Sequence, residues 1–339
     1  MTVIYLYDID GWALHAIGIW LAQALTGPEM DFRLMQYDAW RANPVPCDVL
    51  YLSYSGLVEP GIDYRKHAGR VVTTIHDPCE LSFFEQRDDW AQLPMGRLPV
   101  AQVDRFSAIS SEIRDVLRRR YDLDAIFTPT WSPRCESLRS ARRQPGDGTG
   151  SIQVMSSTNV SVRRPVRDIL RRIRHPAPFF RDEHGRLSLR QLSALPVRRR
   201  RKRVEWLTQI ARAAGERSGI HCEFAVGGSA RRSEQEYETA LHRCDVYVCT
   251  STMEGGPLPV LEAVMAGAAV LSTRVGQVPT WIEDGGSGYF CSSVAEFSHR
   301  LNRYADDRGL LLRHQARARE IADALVPDLT GWRALLAVA

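Results

Sequence analysis

The stretch from Cys249 to Phe290 constrains the fold more than any other part of the chain, because it has the pattern of a β-α-β unit. The run Asp245–Cys249 is short, rich in β-branched residues and bounded by polar residues, which is typical of a buried strand in a parallel sheet. A helix from about Pro257 to Met265 follows and stops at Gly267, and a second strand follows at Ala268–Ser272. This unit predicts an α/β protein.

Two carboxylates flank the start of this helix. Glu254 lies in the loop just before Gly255 and Gly256, and Glu262 lies about a turn and a half into the helix. The glycines let backbone N–H groups approach an anion closely, and the helix N-terminus favours phosphate. Either carboxylate alone is more often a helix cap, and a lone pair of glycines is more often a turn. Together they suit a sugar nucleotide, whose hydroxyls donate to the carboxylates while the amides hold its diphosphate.

Three motifs follow one another in a fixed order. The run from Ser251 through Glu262 to Gly267 matches S-x-x-E-G-x-P-x-x-x-x-E-A-x-x-x-G, Thr273–Gly276 matches T-x-V-G, and Asp284–Gly288 matches D-G-x-x-G. This order resembles the retaining glycosyltransferases of family 4, in the glycogen-synthase-like group. The resemblance is close over about 45 residues and vaguer elsewhere.

The resemblance implies the GT-B fold, two Rossmann-like parallel α/β domains facing a central cleft. It implies that Glu262 holds ribose hydroxyls, that Glu254 has a catalytic role at the sugar hydroxyls, and that four neighbours steady sugar and phosphate: Gly255, Gly256, Pro257 and Leu258. The co-substrate is then a nucleotide-diphospho-sugar, most commonly of uridine, with no cofactor and no required divalent metal.

The family also carries an arginine and then a lysine that grip the donor diphosphate, and this chain departs from that pattern. One placement puts Asn159 at the arginine and Arg164 at the lysine; the other uses Lys202, with Arg201 or Arg203 beside it. One helix and one turn, about twenty residues, separate the family's lysine from the next strand, so spacing favours Lys202 as the catalytic cation. Only two of the 44 basic residues are lysines, which also favours a specific role for this one.

This placement implies a strongly basic insertion at residues 160–200. A solvated loop is the first interpretation, and an anion clamp for the donor or a phosphorylated acceptor is the second. A weak contact with a membrane surface stays open, although prolines break the apolar face. Nucleic acid is disfavoured, because stacking aromatic residues are not interleaved with the arginines.

The N-terminal half alternates predicted strands and helices, the strands being Val3–Tyr7, Phe32–Met35, Val49–Leu52, Val71–Ile75 and Phe106–Ile109. No G-x-G-x-x-G follows the first strand, which argues against a nicotinamide-binding domain. The loop with Gly11 and Trp12, followed by His15, would face the cleft and contact the acceptor. A structural loop with Asp10 as helix cap is the alternative.

His76 and Asp77 directly follow the fourth predicted strand. In the family a histidine at this place approaches the transferred sugar, so the resemblance implies a catalytic role for His76. Asp77 would orient the imidazole or bind the acceptor. The alternative is a core histidine beside a capping aspartate.

The 339 residues favour two domains, and 44% hydrophobic and 25% charged residues are ordinary for a globular protein. The net charge of +4 is only permissive, and seven scattered cysteines without a C-x-x-C pair argue against disulfides or zinc. With no long apolar segment or signal peptide, we expect a cytoplasmic protein. The expected organisation is an acceptor-side domain at 1–130, a linker at 131–150, a nucleotide-sugar domain at 151–325, and a C-terminal helix crossing back at 326–339.

The predicted function is sugar transfer to an acceptor hydroxyl, with a small natural product as the acceptor. A cell-surface glycan or lipid is the alternative acceptor. A sugar-nucleotide epimerase and a catalytically silent sugar-nucleotide-binding subunit are the alternative functions, the second favoured by Asn159 where the family has arginine. The oligomeric state is left open.

Overall fold

The chain forms two compact units in the computed structural model, which describes residues 1–8, 10, 13–59, 61–77, 80, 100–141, 150–158, 201–215, 219–226 and 233–337. The first unit is built from the described residues of Met1–Pro133 and Pro327–Ala339, and the second from those of Arg134–Asp168 and Arg198–Val326. Within the described part of the chain, none of the helices is both long and apolar enough to cross a membrane.

The first unit contains a parallel sheet of six strands among its described residues, in the order β2-β1-β3-β4-β5-β6. The strands are β1 (Thr2–Tyr7), β2 (Asp31–Gln36), β3 (Cys47–Leu52), β4 (Ala68–Ile75), β5 (Arg105–Ala108) and β6 (Ile126–Phe127). The helices are α1 (Ala13–Leu25), α2 (Tyr37–Ala42), α3 (Ser111–Tyr121) and the C-terminal α11 (Thr330–Leu336), and short 3-10 turns cover Ser55–Leu57, Tyr64–Lys66 and Val100–Gln102. The five predicted strands are confirmed, and the two-residue β6 is additional.

The core of the first unit explains why its strands are apolar along most of their length. Residues Val3 to Tyr7 of β1 are all buried, as expected for a central parallel strand covered on both faces. Helix α11 adds Trp332, which is fully buried and packs its ring against Trp20 and Tyr51. The indole Nε1 of Trp332 donates to the Pro129 carbonyl at 3.2 Å, so the buried ring leaves no polar atom without a partner.

The second unit contains a parallel sheet of five strands among its described residues, in the order β11-β10-β9-β7-β8. The strands are β7 (Ile152–Thr158), β8 (Ile220–Val226), β9 (Val246–Cys249), β10 (Ala269–Ser272) and β11 (Gly288–Phe290). The helices are α4 (Cys135–Ser140), α5 (Val204–Gly215), α6 (Glu234–Arg243), α7 (Leu258–Met265), α8 (Val278–Trp281), α9 (Val294–Asp306) and α10 (Arg308–Ala324). The β-α-β unit predicted from the sequence is β9-α7-β10.

The predicted linker at 131–150 is wrong for part of its length. Residues 135–140 form α4, whose Cys135 and Leu138 are fully buried and which belongs to the second unit. The apolar residues of this short helix are hidden among prolines, arginines and glycines, and the composition of the whole segment therefore suggested a linker. The basic insertion at 160–200 lies outside the described residues.

Candidate functional site

The centre of the site is an ion pair between Lys202 and Glu254. The ammonium group of Lys202 donates to Oε1 of Glu254, and the two side chains are only 16% and 9% exposed. Lys202 lies just before α5, and Glu254 lies in the loop after β9. The structure therefore brings together two residues that the family resemblance assigns to the donor diphosphate and sugar.

Two threonines after β9 fasten the segment that carries Lys202. The Thr250 hydroxyl donates to the Lys202 carbonyl at 2.8 Å, and the Thr252 N–H donates to the Arg201 carbonyl at 2.7 Å. Arg201 is buried, whereas Arg203 adopts a left-handed backbone (φ 44°) and lays its guanidinium 3.9 Å from the centre of a tryptophan ring, Trp206. These backbone contacts fix where the lysine emerges, and nothing in the sequence pattern had indicated them.

The T-x-V-G motif has a packing role beside this loop. Gly276 has φ +48°, and a Cβ on it would lie 2.1 Å from the Gly255 carbonyl oxygen and 2.3 Å from that of Glu254. The next residue, Gln277, donates its N–H to the same Gly255 oxygen at 2.9 Å. Only glycine fits this close approach, so the motif sets the path of the glycine-rich loop.

Glu262 is held by two donors. Its Oε1 accepts from Nη1 of Arg134 at 3.1 Å, and its Oε2 accepts from the Tyr237 hydroxyl at 2.8 Å. The carboxylate is 2% exposed, and Arg134 also pairs with the exposed Glu234 at 2.7 Å. Sequence reasoning missed Arg134 and Tyr237, which come from the segment before α4 and from α6.

The electrostatics of this cluster keep both partners of Glu262 as donors. Burial is the largest single influence and lowers the pKa of the Arg134 guanidinium, but the charges and hydrogen bonds of Glu262 and Glu234 together outweigh burial, and the pKa is raised. Burial, followed by the Glu262 charge, raises the pKa of Tyr237 well above its ordinary value. Both groups therefore stay protonated and keep donating to the carboxylate at neutral pH.

The start of α7 offers fewer amides than the sequence analysis assumed. Pro257 caps the helix with an extended backbone, and Leu258 begins it. The second helical residue is Pro259, which has no N–H. From Gly255 to Pro259, this turn therefore has backbone N–H groups only on Gly255, Gly256 and Leu258.

A second cluster of polar residues lies in the first unit, at the carboxyl ends of adjacent strands. His76 and Asp77 follow β4, and Ser55 follows the neighbouring β3. Burial lowers the pKa of His76 to about 4, and its Nε2 has no hydrogen-bond partner among the residues that the structure describes. The imidazole is therefore neutral at pH 7. A residue that sequence reasoning missed, Glu80, accepts hydrogen bonds from the backbone of both loops.

His15 lies on α1 and stacks on Tyr7, with ring centres 4.3 Å apart and planes 20° apart. Tyr7 in turn donates to Asp10 at 2.9 Å. The predicted acceptor residues Gly11 and Trp12, and the predicted donor residues Asn159 and Arg164, lie outside the described residues. Within the ranges that the structure describes, no group of three or more histidine, cysteine, aspartate or glutamate side chains is arranged to hold a metal ion.

Comparisons with known proteins place this geometry in a fold class. The structure of WaaG, a glycosyltransferase involved in lipopolysaccharide biosynthesis, is similar with a TM-score of 0.56 at 14% identity, over 99% of this chain and 98% of that chain. The pneumococcal O-GlcNAc transferase GtfA, solved with UDP and GlcNAc, is similar with a TM-score of 0.53 at 15% identity, over 86% of this chain and 56% of that chain. The protein has the GT-B fold of these glycosyltransferases.

The second unit also matches at the level of sequence. Residues 226–322 match the family model described as Glycosyl transferases group 1, so this unit carries a glycosyltransferase group 1 domain. Trehalose phosphorylase of Grifola frondosa is 36% identical over 78 residues, which is 22% of this chain and 11% of that enzyme. The chain thus matches about a tenth of the length of this curated relative.

Proposed function

We propose that the protein is a glycosyltransferase that transfers a sugar from a UDP-sugar to an acceptor hydroxyl with retention of configuration. The observation that carries the proposal is the arrangement around α7. A lysine ammonium meets Glu254 at the glycine-rich loop, and a second buried carboxylate, Glu262, stands on the helix between an arginine and a tyrosine. The group 1 domain match and the UDP bound to GtfA support this donor class.

In the proposed mechanism, Glu262 accepts hydrogen bonds from the ribose hydroxyls and Glu254 accepts them from the sugar. Lys202 turns from Glu254 towards the diphosphate and offsets the charge that develops as the bond from C1 to the phosphate oxygen breaks. The acceptor oxygen forms its bond to C1 on the same face, and its proton passes to the departing phosphate oxygen. The products are the glycoside and UDP, and all atoms are accounted for without a separate base.

His76 is the candidate group of the first unit in this reaction. A neutral imidazole stabilises a sugar by hydrogen bonding rather than by charge, and within the described part of the chain its Nε2 has no hydrogen-bond partner. For the acceptor we propose a small natural product, and the support for it is the unusual basic insertion at 160–200 in the sequence. The role of WaaG in lipopolysaccharide biosynthesis supports a glycan or lipid as the alternative acceptor.

The first test is a thermal-shift screen of the purified protein against UDP, GDP, dTDP, ADP and common nucleotide sugars. A ligand that binds only the native state raises the melting temperature, by an amount that grows with concentration over Kd. We expect UDP and one UDP-sugar to raise it, and the rise at the same ligand concentration to be smaller in Glu262→Gln. No shift with any nucleotide would contradict the donor site.

A second function is favoured by Asn159, which stands where the resemblance places a phosphate-binding arginine. A catalytically silent sugar-nucleotide-binding subunit would show the same thermal shifts but would release no UDP with any acceptor. Release of UDP that depends on an acceptor distinguishes a transferase from this subunit, and also from an epimerase, which needs no acceptor.

A further inference from the structure

Glu80 is the buried carboxyl group that the proposed reaction does not use. It is 9% exposed and lies close after Asp77, at the carboxyl edge of the first sheet. Its Oε2 accepts from the N–H of Ser55 at 3.0 Å and from the Ser55 hydroxyl at 2.7 Å. Its Oε1 accepts from the N–H groups of His76 at 2.8 Å and Asp77 at 3.0 Å. One carboxyl group thus joins the loop after β3 to the loop after β4.

We propose that Glu80 is a positioning residue, whose carboxylate clamps these two loops together and thereby fixes the imidazole of His76 for the substrate. The part of this inference that concerns the substrate rests on the proposed function. The clamp itself rests on the four hydrogen bonds, which all end on one side chain.

Four donors and two oxygens explain why the clamp needs a carboxylate. An ionised carboxylate only accepts hydrogen bonds and has about four lone-pair sites, which match the four donors. Burial raises the pKa of Glu80 to about 7, so all four hydrogen bonds are accepted in every molecule only above that pH. The amide group of a glutamine would turn two N–H donors towards two of these four donors. An aspartate is one methylene shorter and cannot span both loops. In the glutamine variant, either the N–H of Ser55 or those of His76 and Asp77 would be left buried without an acceptor, depending on which way the amide is turned.

The consequence falls on His76 because its own backbone N–H is one of the clamped groups. Burial holds the pKa of this imidazole at about 4, and the neighbouring charge that acts on it is that of Asp77. Glu80 itself interacts electrostatically with Asp77, which raises its pKa, and with Tyr51 of β3, whose pKa it raises. If the loop opens, water reaches the imidazole and its pKa rises towards the ordinary value of about 6.5.

The experiment compares the full-length protein with Glu80→Gln by NMR of 15N-labelled histidine, using His76→Asn to assign the His76 signals. We expect the His76 signals to move in Glu80→Gln and their titration midpoint to rise by one to two pH units, roughly. We expect kcat to fall about tenfold or more, because misplacing a reacting group by about 1 Å is costly, while the Kd for UDP is unchanged.

Two further variants separate positioning from general stability. Ser107→Ala removes a buried hydroxyl that contacts Thr74 at 2.6 Å and Thr128 at 3.0 Å in the same sheet, so it should lower the melting temperature without moving the His76 signals. Ser55→Ala removes only one of the four donors and should move the His76 signals in the same direction as Glu80→Gln, but by less. The clamp can therefore still be tested if Glu80→Gln does not fold.

Unchanged His76 signals in both Glu80→Gln and Ser55→Ala would overturn the clamp. Shifted signals with a wild-type kcat would overturn the positioning role. The NMR result does not need turnover, so a protein that transfers no sugar would refute the proposed function while leaving the clamp measurable.

Discussion

Replacing Glu262 by glutamine tests the donor site most directly, because the chain supplies a matched control. Arg134 pairs with two glutamates, Glu262, which is 2% exposed, and Glu234, which is 77% exposed. Glu262→Gln and Glu234→Gln therefore remove the same charge from the same guanidinium. They differ in burial and in the predicted contact with ribose.

The magnitude follows from burial. Breaking a buried ion pair by changing one partner costs roughly 3–5 kcal/mol. Because Arg134 keeps Glu234, and Tyr237 can still donate to an amide oxygen, we expect Glu262→Gln to lower the free energy of unfolding by about 3 kcal/mol, the lower end of that range. An exposed pair is worth about 0–1 kcal/mol, so Glu234→Gln should cost at most about 1 kcal/mol.

The two substitutions should also differ in their effect on UDP binding. A hydrogen bond to a charged group contributes about 1.5–3 kcal/mol, so losing even one raises Kd about tenfold or more. We expect titration calorimetry to show this weakening in Glu262→Gln and an unchanged Kd in Glu234→Gln, with urea unfolding giving the stabilities. Equal UDP affinity in both variants would refute the assignment of Glu262, and equal loss of stability would refute the argument from burial.

Three other perturbations have defined outcomes. Lys202→Ala should lower kcat more than Arg164→Ala in a UDP-release assay, and the opposite ranking would move the phosphate-binding cation to Arg164. Gly276→Ala places a Cβ against two carbonyl oxygens at positive φ and should cost about 2 kcal/mol or more in urea unfolding; a loss under about 0.5 kcal/mol would show that the loop adapts. Because the pKa of His76 is lowered to about 4, its contribution to the free energy of unfolding is complete above pH 6.5 and is lost as pH falls towards 4. Because burial raises the pKa of Glu80 to about 7, its contribution is complete below pH 4.5 and is lost as pH rises through 7. The two slopes oppose each other between pH 4.5 and 6.5, so His76→Asn, which leaves only the Glu80 slope, should make stability fall with pH there by up to about 1.4 kcal/mol per pH unit; a flat profile in His76→Asn would contradict the raised pKa of Glu80.

Much of the fold could be predicted because parallel strands covered on both faces are continuous apolar runs. The run at Val49–Leu52 is one example, and the observed β3 extends it only to Cys47. Strands of two or three residues, such as β6 (Ile126–Phe127), are too short to show any period, and they were not predicted. Helix α4 escaped for a similar reason, since its six residues hold just two fully buried side chains.

In the candidate site, some residues could be predicted from the sequence and others could not. Counting back from the next strand in the family's pattern selected Lys202 as the donor cation, but its pairing with Glu254, 52 positions away, was not predicted. Arg134 is 128 positions from Glu262, and no local pattern links them. Glu80 was missed because its donors are mostly backbone N–H groups, which every residue but proline carries and which leave no mark in a sequence.

Trp332 also has a consequence for how the protein is made. The ring fills the core of the first unit beside Trp20 and Tyr51, which are synthesised roughly 300 residues earlier. During translation, the apolar surface that Trp332 covers stays exposed until helix α11 has left the ribosome. All strands of the second unit have emerged by then, so that unit can complete its sheet first although it is encoded later. Premature termination a few codons before Trp332 would therefore damage the part of the protein that was made first.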